Sequence, residues 1–460
     1  MKVVDPATGE LLTNVLDDSA EMIAEKVAAA RVAQPLWAAR PVEERIEIMR
    51  AFRGWVVKKA DELAALLTSE TGKPITQSRN ELAGLLPRID FFLDHAAATL
   101  ADEVVLDDPE AGVREVIGHE PLGVIANISA WNYPYFVGSN VFVPALLAGN
   151  AVLYKPSEHA TRTGLAIASM LNDAGVPVDV FSLVAGDGSV GAELLSHPLD
   201  GVFFTGSYAT GRRIAESVAP QLGHVQLELG GKDPVYVCDD VDVAAAAEGL
   251  ADGAFYNNGQ SCCSVERIYV HESIHDAFVE RFVGTVEGFV MGDPTDDATY
   301  LGPLTRPDQA DVLDAQVADA VAKGATVRTG GARVAGRPAG TAWFAPTVLT
   351  GVTADMAVMR DESFGPIIGI QSVADDDEAL ALMNDTAYGL TAGVYAVDEA
   401  RATALLDRVR AGSAYWNCCD RVSPRLPWSG RGHSGMGSTL GTSGILAFTH
   451  PKAWHLRSPG

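Results

Sequence analysis

The chain has 460 residues, which is enough for two or three domains and for a large core without disulfides or metals. Apolar residues make up 47% and charged residues 20%, a balance typical of folded proteins that excludes disorder as the main state. The net charge of −26 repels phosphate backbones and anionic lipid, so we expect neither nucleic acid nor a membrane surface as a partner.

The five cysteines favour a reducing compartment. Two pairs are adjacent in sequence, the total is odd and no CxxC is present, so neither a disulfide framework nor a zinc or thioredoxin-type motif is predicted. The N-terminus has no apolar signal region, and no run of about 18 uncharged apolar residues occurs. We therefore predict a soluble, cytoplasmic protein without a bound metal.

The first hundred residues look helical. One helix is predicted over 20–33, where Asp18 and Ser19 can cap its first turn. A second is predicted over 42–65, because Pro41 is suited to open a helix and charged residues follow on one face.

Short strands and helices then alternate along the chain. The first series is strand 123–129, helix 138–147, strand 151–157, helix 163–174, strand 180–184, helix 190–196, strand 201–204, helix 211–218 and strand 225–229. The second series is strand 233–238, helix 242–255, strand 265–270 and helix 274–290. Such alternation predicts an α/β fold with a doubly wound parallel sheet and a further α/β unit.

One cysteine lies where a nucleophile can be activated. Gly259 and Gln260 end a predicted helix, and Cys262 follows in the turn, where backbone amides can lower a thiol pKa and hold an oxyanion. The alternative is a buried structural cysteine, which is the usual state of a free thiol. Adjacent residues cannot both point the same way, so we expect one of Cys262 and Cys263 to be structural.

A glutamate and an asparagine offer the complementary chemistry. Glu228 ends a predicted strand among apolar residues, which disfavours its charged form and moves it toward a general base; the alternative is a partner of Lys232 or Arg267. Asn132 carries an amide that can donate to an oxyanion, although an Asn in the segment SAWNYP is also a simple turn residue.

Two strand ends look suited to a nucleotide. Lys155 and Glu158 end one strand and can hold ribose hydroxyls, with an exposed turn as the alternative. Gly206 and Ser207 end another strand just before a helix, an arrangement that binds phosphate.

Two further segments are less specific. Gly186, Gly188 and Gly191 spell a GxGxxG, which we interpret as a sheet-packing or adenine-side loop and not as the pyrophosphate clamp. Glu362 and Phe364 precede Gly-Pro in a turn that can contact a ribose and a ring, and otherwise form an ordinary loop.

Together, and in this order, these segments resemble the aldehyde dehydrogenase superfamily. The matching sequence motifs are WNYP, KPSE, FTGS, LELGGK, GQSC, ESFGP and PWSG, and the resemblance runs from about Asp5 to about Lys452. It implies a doubly wound cofactor domain, a second α/β catalytic domain and a small β oligomerisation arm. The implied boundaries are 1–101 and 119–232 for the NAD-binding domain, 233–435 for the catalytic domain, and 102–118 and 436–460 for the arm and tail.

The resemblance implies NAD(P)-dependent, non-acylating oxidation of an aldehyde to an acid. Cys262, and not Cys263, matches the nucleophile that forms a thiohemiacetal and then a thioester. Glu228 matches the residue that activates water to hydrolyse the thioester. Asn132, with the backbone N–H of Cys262, matches the oxyanion site.

The same resemblance assigns a cofactor, for which we predict NAD over NADP because Glu158 would repel a 2′-phosphate. Lys155 and Glu158 match adenine-ribose contacts, and Gly206 and Ser207 match pyrophosphate contacts. Glu362 and Phe364 match contacts to the nicotinamide ribose and ring. The full predicted cofactor set is Ile128, Trp131, Lys155, Ser157, Glu158, Gly188, Gly206, Ser207, Leu229, Glu362 and Phe364.

The substrate is the least determined part. The implied pocket residues are Tyr133, Tyr256, Ser261, Arg421 and Val422, with Phe136, Val137, Asn140 and Asp420 along the same tunnel. Arg421 can meet a carboxylate, but Asp420 can neutralise it and no second Arg follows WNYP, so an acidic semialdehyde is not favoured. We predict an aromatic or medium-chain aldehyde, with amino-aldehydes or semialdehydes as alternatives.

The implied partners are copies of the chain itself, as a homodimer or homotetramer built on the arm and tail. An isolated hairpin is unstable in water and needs such pairing. A non-catalytic cofactor-binding relative is the alternative of a different class, which the presence of Cys262, Glu228 and Asn132 disfavours.

Overall fold

The computed structural model describes residues 1–458. Its strands are β1 Lys2–Val4, β2 Leu11–Asn14, β3 Glu103–Asp108, β4 Val113–Pro121, β5 Val124–Ile128, β6 Ala151–Lys155, β7 Phe181–Leu183, β8 Gly201–Thr205, β9 His224–Glu228, β10 Asp233–Val237, β11 Val265–His271, β12 Thr326–Thr329, β13 Thr347–Thr350, β14 Ile367–Val373, β15 Thr391–Tyr395, β16 Ser413–Trp416, β17 Gly435–Met436 and β18 Thr449–Arg457. Its α-helices are α1 Ala20–Ala38, α2 Val42–Lys58, α3 Ala60–Thr71, α4 Ile75–Thr99, α5 Pro134–Leu147, α6 Thr161–Asp173, α7 Gly188–Ser196, α8 Tyr208–Val218, α9 Val243–Phe255, α10 His275–Glu287, α11 Gln309–Ala322, α12 Ala357–Arg360, α13 Asp376–Asn384, α14 Glu399–Leu406 and α15 Gly441–Leu446.

The first large sheet has six strands in the order β17-β9-β8-β5-β6-β7. The five longer strands are parallel, and only the short β17 runs antiparallel to β9. Within this sheet, β5 is the first strand in the chain, β6 and β7 follow on one side of it, and β8 and β9 follow on the other side. This reversal confirms the predicted doubly wound topology and places the switch point between β5 and β8.

Both faces of this sheet are covered. Ile125 of β5 packs into a core formed with helices α2 to α6, whereas Val124 and Ala126 pack into a second core formed with α1, α7 and α8. Alternate residues therefore face different apolar layers, which explains why the strand sequence reads as a continuous apolar run.

The second large sheet has seven strands in the order β12-β13-β14-β11-β10-β15-β16. All of its pairings are parallel except that of β12 with β13. The sheet and its helices form the second α/β unit.

A separate three-stranded antiparallel sheet has the order β18-β4-β3. The hairpin of β3 and β4 pairs with β18 from the C-terminal segment over nine residue pairs, from Thr449–Pro121 to Arg457–Val113. Val104, Val105 and Leu106 of the edge strand β3 are exposed.

Two N-terminal predictions need correction. Ser19 caps α1 by accepting the Met22 N–H at 3.3 Å, but Asp18 does not act as a cap and pairs with Lys26 at 2.5 Å. The single helix predicted over 42–65 is wrong, because Lys59 adopts φ −106° and ψ 13° and separates α2 from α3.

Within residues 1–458, no helix combines the length and apolarity that a membrane crossing requires.

Candidate active site

A cavity of about 1070 Å³ opens at the carboxyl ends of β5, β6, β8 and β9. Its wall includes the three predicted catalytic side chains, Cys262, Glu228 and Asn132. All eleven residues predicted to contact a cofactor line the same cavity, namely Ile128, Trp131, Lys155, Ser157, Glu158, Gly188, Gly206, Ser207, Leu229, Glu362 and Phe364. The structure therefore brings together two residue sets that are spread over more than two hundred positions.

The Asn132 amide is held in a fixed orientation. Its Nδ2 donates to the Gln260 carbonyl at 3.0 Å, while Asn257 Nδ2 donates to the backbone carbonyl of Asn132 at 3.3 Å. Asn257 and Asn258 have φ of 53° and 57°, so the chain turns tightly between α9 and Cys262. One Nδ2 hydrogen of Asn132 remains for an oxygen placed near Cys262.

The two adjacent sulfurs face different surroundings. Cys262 is half-buried and lines the cavity, whereas Cys263 is buried. The Cys263 thiol donates to Asp420 Oδ1 at 2.9 Å and lies 3.5 Å from the Ser261 hydroxyl. The neighbouring Cys262 sulfur, and then burial, raise the pKa of Cys263 well above its ordinary value. Cys263 is therefore held as a neutral thiol outside the cavity wall.

Glu228 ends β9 and is only 5% exposed. Its carboxylate accepts a hydrogen bond from the Thr439 hydroxyl and another from Gln226 Nε2 at 3.3 Å. Burial raises the pKa of Glu228, and the Thr439 hydrogen bond is the largest opposing effect. The carboxylate thus has no cationic partner within hydrogen-bond reach among the described residues.

The alternative pairing of Glu228 with Lys232 or Arg267 does not occur in the described structure. Lys232 pairs with Glu266 at 2.6 Å, and Arg267 donates to backbone carbonyls, including that of Lys232 at 2.9 Å. These two cations therefore leave the Glu228 carboxylate free to face the cavity.

The nucleotide side of the cavity combines a cation, a carboxylate and a helix N-terminus. Lys155 is buried at the end of β6, and burial lowers its pKa. Glu158 is half-buried and accepts from the Ser157 hydroxyl at 3.2 Å. Ser207 caps α8 by accepting the Thr210 N–H at 3.4 Å, so the first turn of that helix faces the cavity. This set suits a ribose and a phosphate group.

A positive backbone angle shapes the opposite wall. Phe364 has φ 47°, and Glu266 supports this turn by accepting the N–H groups of Ser363 and Phe364 at 3.1 Å. Glu362 accepts the Gly231 N–H at 3.0 Å, and burial raises the pKa of Glu362 to about 8. The adjacent Gly230 has no side chain where a Cβ would clash with the Glu362 carboxylate.

The predicted substrate residues do not lie on this cavity. Within the part of the chain that the structure describes, none of Tyr133, Tyr256, Ser261, Arg421 and Val422 is on its wall. Cys262, Phe136 and Val422 instead pack at the edge of one apolar cluster. Cys262 therefore lies between the nucleotide cavity and an apolar region.

The remaining predicted substrate residues have separate positions. Tyr133 stacks on Phe136 with 5.8 Å between ring centroids, and the Tyr256 hydroxyl accepts from Asn80 Nδ2 at 3.1 Å. Arg421 is exposed, and Asp420 contacts Cys263 instead of forming an ion pair with Arg421.

Sequence reasoning missed three polar residues near the site. Thr439 contacts Glu228, Arg213 in the middle of α8 lies on the cavity wall, and Arg88 is buried on α4. None stands in a recognisable motif, and Thr439 is 211 positions from its partner. Within the described residues, no group of three or more His, Cys, Asp or Glu side chains is arranged to hold a metal.

Comparisons with known proteins point to one family. The model of the "Aldehyde dehydrogenase family" matches residues 1–454. A 3,6-anhydro-alpha-L-galactose dehydrogenase of Streptomyces coelicolor is 38% identical over 465 residues, covering 99% of this chain and 93% of the relative.

Several similar solved structures contain a nicotinamide cofactor, among them the following two. PnpE in complex with nicotinamide adenine dinucleotide has a TM-score of 0.96 and 34% identity, covering 99% of this chain and 94% of that chain. A 3,6-anhydro-L-galactose dehydrogenase in complex with NADP has a TM-score of 0.95 and 33% identity, covering 99% of this chain and 96% of that chain.

Proposed function

The chain belongs to the aldehyde dehydrogenase family, and from this premise we propose that it oxidises an aldehyde to a carboxylic acid with NAD, using Cys262, Glu228 and Asn132. The observation that carries the proposal is their position on one cavity wall together with all eleven predicted cofactor residues. Lys155, Glu158 and Ser207 would hold the nucleotide half of NAD, and Glu362 and Phe364 the nicotinamide half. Bound NAD would supply the electron acceptor for the oxidation.

The Cys262 thiolate begins the reaction by adding to the aldehyde carbon. A C–S bond forms and the carbonyl electrons move to oxygen, where the free Nδ2 hydrogen of Asn132 and the backbone N–H of Cys262 stabilise the charge. Loss of a hydride, that is, of one proton and two electrons, from this adduct leaves a thioester on Cys262, and bound NAD would be the acceptor.

Glu228 completes the cycle by taking a proton from water. The oxygen of that water attacks the thioester carbon, the C–S bond breaks, and the acid leaves while Cys262 is regenerated. A carboxylate with a raised pKa is a stronger base than an exposed one, which suits this step.

The proposed substrate is an aromatic or medium-chain aldehyde. The support is the stacked pair Tyr133 and Phe136 and the apolar cluster that Phe136, Val422 and Cys262 border. Amino-aldehydes are the alternative, since a cation can lie against an aromatic face.

The direct test is NADH formation at 340 nm with purified protein and a panel of aldehydes, run beside NADP. Oxidation of one aldehyde class with NAD supports the proposal. Cofactor binding without turnover of any aldehyde would favour the non-catalytic alternative.

Glu158→Gln is expected to shift the cofactor preference toward NADP. The carboxylate of Glu158 would bond ribose hydroxyls in NAD and repel the 2′-phosphate of NADP, while Arg213 on the same wall offers that phosphate a cation. We expect the ratio of kcat/KM for NAD over NADP to fall roughly tenfold or more. Glu193→Gln, at a half-buried residue of α7 that is not on the cavity wall, is the matched control, and an unchanged ratio in Glu158→Gln would contradict the assignment.

Thr439→Val is expected to move the acidic limb of the kcat profile to higher pH. The hydroxyl stabilises the charged form of Glu228, so its loss raises the pKa further and leaves less free base at any given pH. A hydrogen bond to a charged group predicts a shift of about one pH unit.

The control for this change is Thr442→Val, which alters an exposed threonine on α15. A lower kcat in Thr439→Val with an unmoved pH profile would show that Thr439 is only structural.

We also propose that the chain forms a homodimer or homotetramer through the sheet β18-β4-β3. The exposed apolar side chains of the edge strand β3, among them Val105, support this. Sedimentation equilibrium gives the mass, and a monomer at micromolar concentration would contradict it.

A further inference from the structure

Arg88 is a buried cation without a counter-ion of its own. It lies on α4, is 6% exposed, and forms no ion pair within residues 1–458. Its one hydrogen bond there runs from Nη1 to Asn140 Oδ1 at 3.1 Å. Burial lowers the pKa of Arg88, which reflects the cost of keeping the guanidinium out of water.

The nearby acids each have a different partner. Glu81 pairs with Lys73 at 2.5 Å, and Asp420 accepts from the Cys263 thiol. The carboxylate of Glu228 accepts from a threonine hydroxyl and a glutamine amide. These groups act on Arg88 electrostatically, but none is within ion-pair distance of its guanidinium in the described structure.

A stack of side chains connects Arg88 with Tyr133, the residue next to Asn132. The Arg88 guanidinium lies 4.1 Å from the Phe136 ring centroid, Phe136 stacks on Tyr133, and Lys73 Nζ lies 3.7 Å from the Tyr133 centroid. A Cβ on Gly84 would come within 2.8 Å of the Phe136 ring, so the glycine makes room for the stack. Tyr133 directly follows Asn132, which places Arg88 two rings away from the proposed oxyanion site.

Asn140 extends the donor set. Its Oδ1 accepts from Arg88, so its Nδ2 is left as a donor beside the unused guanidinium N–H groups. The Arg88 guanidinium and the Asn140 Nδ2 group can both only donate hydrogen bonds, so together they suit a ligand group that only accepts them. A carboxylate is such a group, and it also supplies the negative charge that Arg88 lacks.

We propose that Arg88 and Asn140 bind a carboxylate at the far end of the substrate, so that the preferred substrate is an aldehyde acid with a medium-length or aromatic spacer. This rests on the proposed function, because Phe136 and Asn140 line a substrate tunnel only under that proposal. No second Arg follows WNYP in the sequence. Arg88 supplies that cation from α4, 52 positions before Asn140.

The test compares matched acids and esters. 4-Carboxybenzaldehyde is paired with its methyl ester, and 4-oxobutanoate with its methyl ester, each with NAD. In the unmodified protein, kcat/KM is expected to favour each acid by about tenfold or more. Arg88→Gln is expected to lower kcat/KM for the acids by about 100-fold, mainly through KM, while the esters change less than about threefold.

Three further variants separate binding from folding. Arg88→Lys keeps the charge and should recover part of the acid preference, and Asn140→Ala should lose a smaller part of it. Arg79→Gln, an exposed change on the same helix, should leave every rate unchanged. Equal losses for acids and esters in Arg88→Gln, or an unmodified protein that prefers esters or glyceraldehyde, would overturn the proposal.

Binding without turnover distinguishes this proposal from the proposed function. Calorimetry with 4-carboxybenzaldehyde uses the Cys262→Ala protein with and without Arg88→Gln. If no aldehyde is oxidised but binding still needs Arg88, the proposed function fails and the carboxylate subsite stands. If aldehydes are oxidised but binding does not need Arg88, only the subsite fails.

Discussion

Cys262→Ala is expected to lower kcat for aldehyde-dependent NADH formation by about 10⁴-fold or more, whereas Cys263→Ala should retain turnover. Removing the nucleophile removes the covalent adduct from which the substrate is oxidised, and losses of this order are typical for nucleophiles. Alanine is close in size to cysteine, so the change leaves the turn after α9 intact.

The different surroundings of the two sulfurs lead us to expect different effects of the two substitutions on turnover. Cys262 lies on the cavity wall beside Asn132, whereas Cys263 is buried between Ser261 and Asp420 with a raised pKa. A thiol held neutral and pointed away from the cavity cannot attack an aldehyde placed there. Cys263→Ala removes the thiol contacts to Asp420 and Ser261, so we expect a moderate loss of stability.

The measurement is the initial rate at 340 nm for both variants at saturating aldehyde and NAD. Alkylation by iodoacetamide, followed by mass spectrometry of the peptide, should label Cys262 in the unmodified protein and fail in Cys262→Ala. Similar activity losses in both variants would refute the assignment of the nucleophile.

The candidate site residues whose shared position could be predicted from sequence are those fixed by local chain geometry. Asn132, Lys155, Gly206 and Glu228 each stand at or just after the carboxyl end of a parallel strand. Neighbouring parallel strands bring such ends to one edge of a sheet, so a correct strand order is enough to bring these residues together. The GQSC motif matches Cys262 and not Cys263 to the nucleophile, and Cys262 lies on the same cavity wall as these residues.

The parts that sequence missed depend on contacts between distant segments. Thr439 reaches Glu228 because β17 pairs antiparallel with β9, and a two-residue strand leaves no pattern to predict. Arg88 follows Pro87 in the middle of α4, where a proline argues against a helix of 25 residues. Only the folded structure shows that the Arg88 guanidinium is buried against Phe136, and the sequence alone therefore gives no reason to assign it a binding role.

The helix predicted over 42–65 was wrong for a similar reason, because contacts with distant segments set where α2 ends and α3 begins. Residues 42–65 contain no Pro, and their one Gly, Gly54, lies inside α2, so no local signal marks the break at Lys59. The two helices pack differently, because α2 contacts α4, α5 and α6, whereas α3 contacts α4 and α6. Propensity is a weak guide where tertiary contacts set the end of a helix.

Glu228→Gln is expected to leave the first turnover intact and to slow the following ones by about 10²- to 10⁴-fold. The amide keeps the size of the side chain and its contacts with Thr439 and Gln226, but it cannot take a proton from water. Attack by Cys262 and oxidation of the adduct do not need this proton transfer. The thioester should therefore form at the normal rate and accumulate.

Rapid mixing should show one NADH per active site in a burst, followed by a slow phase, and intact mass spectrometry should find the acyl group on Cys262. Glu193→Gln on α7 should show neither change. A linear trace at the unmodified rate would mean that another group activates the water. The same thioester is the branch point toward acyl transfer, so acyl-CoA as the main product of the unmodified protein at saturating CoA would overturn the hydrolytic assignment of Glu228.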